Sequence, residues 1–343
     1  MSNGPLKKTV RVILSPSGAK NPDQRSFAMR RISQDDGVNR TIVRAQDLIQ
    51  PYFVLVGRHR KEAILSMPGI FRLSVDLIVR DVTALVRNGI CGVLLFGIAR
   101  KKDVLGSDAY AGDAAIQSAT RALRKRFGKK IVIITDVCLC GFTNHGHCGI
   151  LHGRKIDQER TLRALGQIAV SHAEAGADFV GPSAMTVGQV KAVRQALDHA
   201  GFSRVGVWAY AVKYASAFYG PFRDALGSAP KFGDRKAYQR DPADTSRAIP
   251  AALQDQRDGA EFLMVKPSLP YLDIIYQLKQ KAKVPVAAFH VSGEYGMLKH
   301  ATHANVLDEK PAVLETLLAI RRAGADKIIT YYAGEVAKWL KQK

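Results

Sequence analysis

The chain has 343 residues, with 51 basic and 30 acidic side chains, a formal charge of +21 and a hydrophobic share of 47%. That composition excludes wholesale disorder, and no apolar run approaches the roughly 18–20 residues that span a bilayer. Four cysteines in this length are too few for a disulfide scaffold, and three of them fall within eleven residues, which points to metal.

Residues 1–45 are polar and rich in Arg, Ser, Asn and Asp. They predict an extended N-terminal arm with at most a short helix. Residues 1–31 carry seven basic side chains and one acidic one. An organellar presequence is the alternative for such a start, but its amphipathicity is weak, so a surface arm is expected. No secretory h-region precedes it, and the expected compartment is the cytoplasm.

From residue 46 onward a rhythm sets in, over a segment read as one domain, 46–343. Short β-rich apolar runs occur at Tyr52–Val56, Ile90–Phe96, Ile131–Thr135, Asp178–Val180, Val205–Tyr210, Glu261–Val265, Val284–Phe289 and Lys327–Tyr331. Most are followed by apolar residues at helical spacing, as in Val75–Val86, Asp157–Ala175, Val187–Ala200, Tyr271–Lys281 and Lys310–Ala323. Glycines at 89, 176 and 324 close several of these helices just before the next strand. Eight alternations over about 300 residues predict a (β/α)8 barrel. No Gly-x-Gly-x-x-Gly follows the first run, so a dinucleotide fold has little support. The rhythm breaks once. Lys213 to Gly259 is too long for one helix, and its Gly-, Pro- and Lys/Arg-rich part predicts an active-site lid over about 213–241.

Catalytic groups of such barrels sit at the C-terminal strand ends. Strand three ends in Asp136, followed by Cys138, Cys140 and Cys148; strand four ends in Ser183. The fifth and sixth end at Lys213 and Lys266, the seventh at Ser292 and Glu294, the eighth at Tyr331. Packing needs alone do not produce six polar strand ends in succession. Thiolates are soft ligands that suit zinc, and three leave one tetrahedral position open, as a catalytic zinc requires. His145 or His147 could close the site instead, giving a structural Cys3His centre. Cys91 reads as a core residue. A lone strand-end lysine would snorkel to solvent. Two on adjacent strands depress one another's pKa, and apolar burial lowers it further, which makes a nucleophilic amine for imine formation with a carbonyl substrate.

Four stretches in shared order then carry a resemblance: 136–148 (DVCLCGFTNHGHC), 213–224 (KYASAFYGPFRD), 264–267 (MVKP) with Tyr271 and Asp273, and 291–295 (VSGEY). From about residue 26 to its end the chain resembles the porphobilinogen synthases, or 5-aminolevulinate dehydratases. The resemblance implies a (β/α)8 barrel whose arm embraces a neighbouring subunit, commonly in octamers. It implies asymmetric condensation of two 5-aminolevulinate molecules to porphobilinogen with loss of two waters, in tetrapyrrole (heme) biosynthesis. Lys266 would form the Schiff base with the first-bound substrate, and Lys213 would form or assist a second. Cys138, Cys140 and Cys148 would hold catalytic zinc, with Asp136 a proton-transfer or amine-binding group beside it. Arg223, Arg235 and Gln239 would clamp one substrate carboxylate, while Ser292 and Tyr331 would donate to the other. Tyr219 and Phe222 would wall the pocket, and Ser183 is a further candidate.

The chain departs from the family pattern at Thr186 and Val187, at Phe289 where Tyr is usual, and at Arg247 and Ala251. Ala251 stands for the glutamate that binds an allosteric magnesium in many members, and Arg247 also replaces a usual acid, so magnesium activation is not expected. A class I aldolase-like lyase would share a barrel and a Schiff-base lysine but leaves the thiols unexplained. A catalytically lapsed homologue is the non-enzymatic alternative. The charge first suggests nucleic acid, yet the chain has no dense basic block and no RRM-like aromatic signature, so neither nucleic acid nor a membrane is an expected partner.

Overall fold

Continuous apolar runs become strands buried on both faces, as parallel sheets wrapped by helices require. The computed structural model describes residues 41–342. Of the arm expected over 1–45, residues 1–40 lie outside the described residues. Strand β1 (Leu48–Leu55) is buried at every position. It starts four residues earlier than the apolar run suggested and passes through Gln50 and Pro51. A hairpin not foreseen in the sequence follows, β2 (Lys61–Ala63) and β3 (Phe71–Ser74), laid beside the end of β1. Helix α1 (Val75–Arg87) then buries Ile78, Val82 and Leu85, one face at helical spacing.

The remaining chain runs β4 (Gly92–Gly97), α2 (Ala115–Phe127), β5 (Val132–Val137), a small hairpin β6 (Leu151–His152) and β7 (Lys155–Ile156), and α3 (Gln158–Glu174). Then come β8 (Phe179–Pro182), α4 (Gln189–His199) and β9 (Gly206–Lys213). The segment expected to be a lid contains the short helix α5 (Gly220–Leu226) and an irregular stretch before α6 (Ala248–Arg257). The chain ends with β10 (Phe262–Lys266), α7 (Leu272–Lys281), β11 (Val286–His290), α8 (Ser292–His303), α9 (Glu309–Arg322), β12 (Lys327–Thr330) and α10 (Ala333–Trp339).

Eight parallel strands pair in the order β1, β4, β5, β8, β9, β10, β11, β12, and β12 returns to β1 through Leu48 opposite Ile328. Closure leaves none of the eight barrel strands as an edge and defines a (β/α)8 barrel. Gly176 and Gly324 end α3 and α9 at φ +99° and +116°, where a side chain would be strained. Among the described residues no helix is long and apolar enough to cross a membrane.

The lower interior is aromatic. Trp208 stacks on Phe262 at 3.8 Å between centroids, and Phe179 meets both edge-on at 5.5 Å. The pairing of β9 with β10 then slips. Leu263 faces Ala209, but Val265 faces Val212, so β9 holds one extra residue. Strand side chains alternate between faces, and one extra residue inverts the alternation. Trp208, Tyr210 and Lys213 therefore all reach the interior, although Tyr210 and Lys213 are three apart. Beyond the slip, Lys213 and Lys266 stand directly opposite one another on neighbouring strands.

Candidate active site

The Lys266 amine lies buried among aromatic rings. Its Nζ is 4.1 Å from the ring centre of Phe289, 4.6 Å from Phe222, 5.2 Å from Tyr210 and 5.4 Å from Tyr219. Phe222 comes from α5 and plugs the barrel mouth, packing edge-on against Phe96 at 4.9 Å. Burial, then the neighbouring Lys213 charge, push the Lys266 pKa down to about 7. Lys213 Nζ lies 5.6 Å from the centre of the Tyr210 ring and donates to the Ser183 carbonyl at 2.6 Å. Ser183 thus enters the site through its backbone. The main chain at Lys266 is pinned as well, its carbonyl accepting from Tyr219 Oη and Tyr214 N at 3.0 Å each.

Asp136 ends β5, partly buried, close enough to feel both lysines. Burial raises its carboxyl to about 6 against the pull of Lys213. Just beyond it, Cys138, Cys140 and Cys148 converge, with all three sulfurs within 4.8 Å of one another and buried. Cys138 and Cys140 are 3.5 Å apart. Tetrahedral zinc with Zn–S near 2.3 Å needs sulfurs about 3.8 Å apart, so the donor set fits that ion. Hydrogen bonds from Cys138 and Cys140, helped by Arg235 and Lys213, hold the Cys148 thiol well below its usual range. Neither His145 nor His147 joins this group among the described residues. His147 is bound at both ring nitrogens, to Tyr238 and Phe232. Of the two readings left open by spacing, the geometry supports the one with three protein ligands and an open position.

The residues expected to clamp a carboxylate come from α5 and the irregular stretch after it. Arg235 and Gln239 are buried, and Arg223 is half-buried near enough to Arg235 that this second cation reinforces burial in lowering its pKa. Buried polar atoms are normally paired. Here the Nε atoms of Arg223 and Arg235, both amide atoms of Gln239 and the Tyr331 hydroxyl are buried without a hydrogen-bond partner among the described residues. Such a set, cationic and planar, suits an anionic oxygen ligand. Ser292 stands differently. Its Oγ donates to the Phe218 carbonyl and accepts from Phe222 N, so it ties α8 to the start of the lid.

The α5 end of the segment expected to be a lid is docked by basic residues from elsewhere. Arg72 donates to the Ala225 and Asp224 carbonyls at 2.6 and 2.8 Å, and Lys102 to those of Leu226 and Gly227. Both satisfy carbonyls that a helix C-terminus leaves orphaned, and place cations at its negative end. Reading by strand ends missed Tyr210, whose ring neighbours both amines. Its signal was an aromatic at the end of the fifth run. It also left Glu294 without a role. That buried carboxylate accepts from Ser268 N and Oγ and from Leu269 N, fixing the loop after Lys266.

A parallel barrel whose mouth holds a depressed-pKa lysine, a second lysine and a soft-metal thiol cluster defines a carbonyl-handling lyase of the Schiff-base class. Comparison with known proteins places it more narrowly. Residues 24–339 match the family model described as delta-aminolevulinic acid dehydratase. The chain is similar to the delta-aminolevulinic acid dehydratase of Halalkalibacterium halodurans, 47% identical over 306 residues, covering 89% of this chain and 93% of that protein. It is similar to the Bacillus subtilis protein of that name, 46% identical over 315 residues, covering 92% and 95%. Among solved structures it resembles the Toxoplasma gondii delta-aminolevulinic acid dehydratase (porphobilinogen synthase) in complex with its reaction product porphobilinogen. That match has TM-score 0.87 and 40% identity and covers 90% of this chain and 89% of that one. The chain belongs to the delta-aminolevulinic acid dehydratase family.

Proposed function

We propose that this enzyme joins two molecules of 5-aminolevulinate into porphobilinogen, releasing two waters, with Lys266 as the Schiff-base residue. The observation that carries the reading is the pair of opposed lysines with Lys266 caged by rings and its pKa near neutrality, beside three converging thiols. The neutral Lys266 amine attacks the substrate ketone carbon, a C–N bond forms, and the carbonyl oxygen leaves as water. The buried surroundings disfavour the ammonium form and so supply the nucleophile at neutral pH.

Lys213 holds the second substrate's carbonyl end, as an imine or as a proton donor. Asp136 is placed to take and return protons between the amines and the thiol cluster. Arg223, Arg235 and Gln239 hold one carboxylate. The Tyr331 hydroxyl faces the other, with Ser292 shared between that carboxylate and the lid. Tyr219 and Phe222 exclude water from the imine. Cys138, Cys140 and Cys148 would hold zinc, which supplies Lewis acidity toward an oxygen or amine of the second substrate when bound.

Magnesium activation is not part of this reading. Arg247 is committed to Asp244 at 2.7 Å, and Ala251 offers no ligand. A homo-octamer built through residues 1–45, in the cytoplasm, completes the proposal, and solution mass with and without substrate tests the assembly. The chemistry is tested by incubating with 5-aminolevulinate, reducing with borohydride and mapping the adduct. An adduct on Lys266 and porphobilinogen in the presence of zinc are expected. No adduct there, together with no product, overturns the reading.

A further inference from the structure

Four consecutive residues of the cysteine loop, 145 to 148, each hold the lid. The His145 carbonyl accepts from Lys231 N at 3.1 Å, and the Gly146 carbonyl from the Arg235 guanidinium at 2.8 Å. Gly146 sits at φ +75°, and a Cβ there would lie 2.5 Å from the Ala229 carbonyl oxygen, so loop and lid touch backbone to backbone. Cys148 N points to the Tyr238 hydroxyl at 3.4 Å.

Between them, His147 is bound at both ends of its ring. Nε2 is 3.1 Å from the Phe232 carbonyl, and Nδ1 is 3.2 Å from Tyr238 Oη. A carbonyl only accepts, so Nε2 carries the proton, and Nδ1 of the neutral ring accepts from the Tyr238 hydroxyl. The ring also lies 4.7 Å from that of Phe232. One imidazole thus grips both ends of the seven-residue stretch 232–238. Arg235 lies inside that stretch, and Gln239 follows it.

We infer that His147 is a positioning residue that latches the lid onto the cysteine loop, so that the carboxylate clamp and the third thiol ligand take up their places as one unit. The inference rests on the proposed function and adds a coupling to it. An anion that engages Arg235 and Gln239 stabilises the closed lid, and the closed lid holds Cys148. Metal and carboxylate then strengthen one another's binding, and the effect is reciprocal.

The test uses the full-length zinc-loaded protein, with levulinate, a 4-oxo acid lacking the amine, as the carboxylate probe. In the parent protein levulinate should slow zinc extraction by a chelator and protect Lys231, Arg235 and Lys236 from trypsin. His147→Ala should abolish both effects. Tyr238→Phe deletes two hydrogen bonds, to His147 Nδ1 and from Cys148 N, and no ring contact, and should raise KM by about three- to tenfold with kcat little changed. His147→Gln, which can still donate to the Phe232 carbonyl, should recover part of the protection. A His147→Ala protein of native circular dichroism that keeps parental trypsin resistance, levulinate effect and KM overturns the latch. A parent protein that makes no porphobilinogen refutes the proposed reaction instead, and the trypsin comparison still decides the latch.

Discussion

The Lys266 amine should report its burial directly in the pH dependence of imine formation. An ordinary lysine with a pKa near 10.5 is neutral in only about one molecule in three thousand at pH 7. With the pKa at about 7, half of the Lys266 side chains are neutral there. The site therefore supplies roughly a thousandfold more nucleophile than solvent exposure would. The neutral amine is the reactive form, so the rate should be lost as pH falls through about 7 and should level off above it. Single-turnover trapping with borohydride at saturating substrate, sampled from pH 5.5 to 9.5, measures it. A rate still rising tenfold per pH step up to 9 would refute the reasoning. Replacing the neighbouring charge sharpens the test. Lys213→Met removes the second cause of the lowering and leaves the first, burial. The break should move alkaline and remain below 10.5; an unmoved break would show that the two amines do not sense one another.

Other perturbations separate metal, clamp and core. Cys148→Ser should lower bound zinc to well below one per chain by elemental analysis, and chelation of the parent should abolish turnover reversibly; full activity in metal-free protein refutes the zinc assignment. Arg223→Lys keeps the charge but loses the planar fork, and kcat/KM should fall by about tenfold to a hundredfold, the worth of one charge-assisted hydrogen bond, at unchanged zinc content. Near-parental kinetics would remove Arg223 from the clamp. Trp208→Ala empties the stack on Phe262 and should cost about 3–5 kcal/mol in urea unfolding. A loss under about 1 kcal/mol would mean that the lower barrel is not close-packed around that ring.

The barrel was legible because its signal is local and repeated. All eight runs became strands, and Val75–Val86 and Lys310–Ala323 lie within a residue of observed helices. The hairpin at Lys61–Ala63 and Phe71–Ser74 escaped because its strands are short and half-exposed, too short for the alternation of Phe71 and Leu73 with Arg72 and Ser74 to stand out. Helix α8 escaped too: Gly293 and Gly296 interrupt it, and its apolar stripe is thin. The lysines and thiols stood out through residue type at strand ends. Arg223, Arg235 and Gln239 came from resemblance alone, since nothing in the spacing of an irregular lid shows which cations turn inward. The seam between loop and lid is unreadable in principle. It joins backbone carbonyls and a histidine to partners 85 to 91 positions away, at no fixed period.

The single extra residue in β9 gives this barrel an arithmetic of its own. Whether a side chain meets substrate or the helical layer depends on whether the count from Trp208 is odd or even, and the slip resets that count before Lys213. Exchanging Lys213 with Val212, which faces Val265 on the outward side, would leave the closed sheet intact and still turn the amine away from the interior. Beyond the slip, which of two neighbouring positions carries the lysine decides whether chemistry can use it.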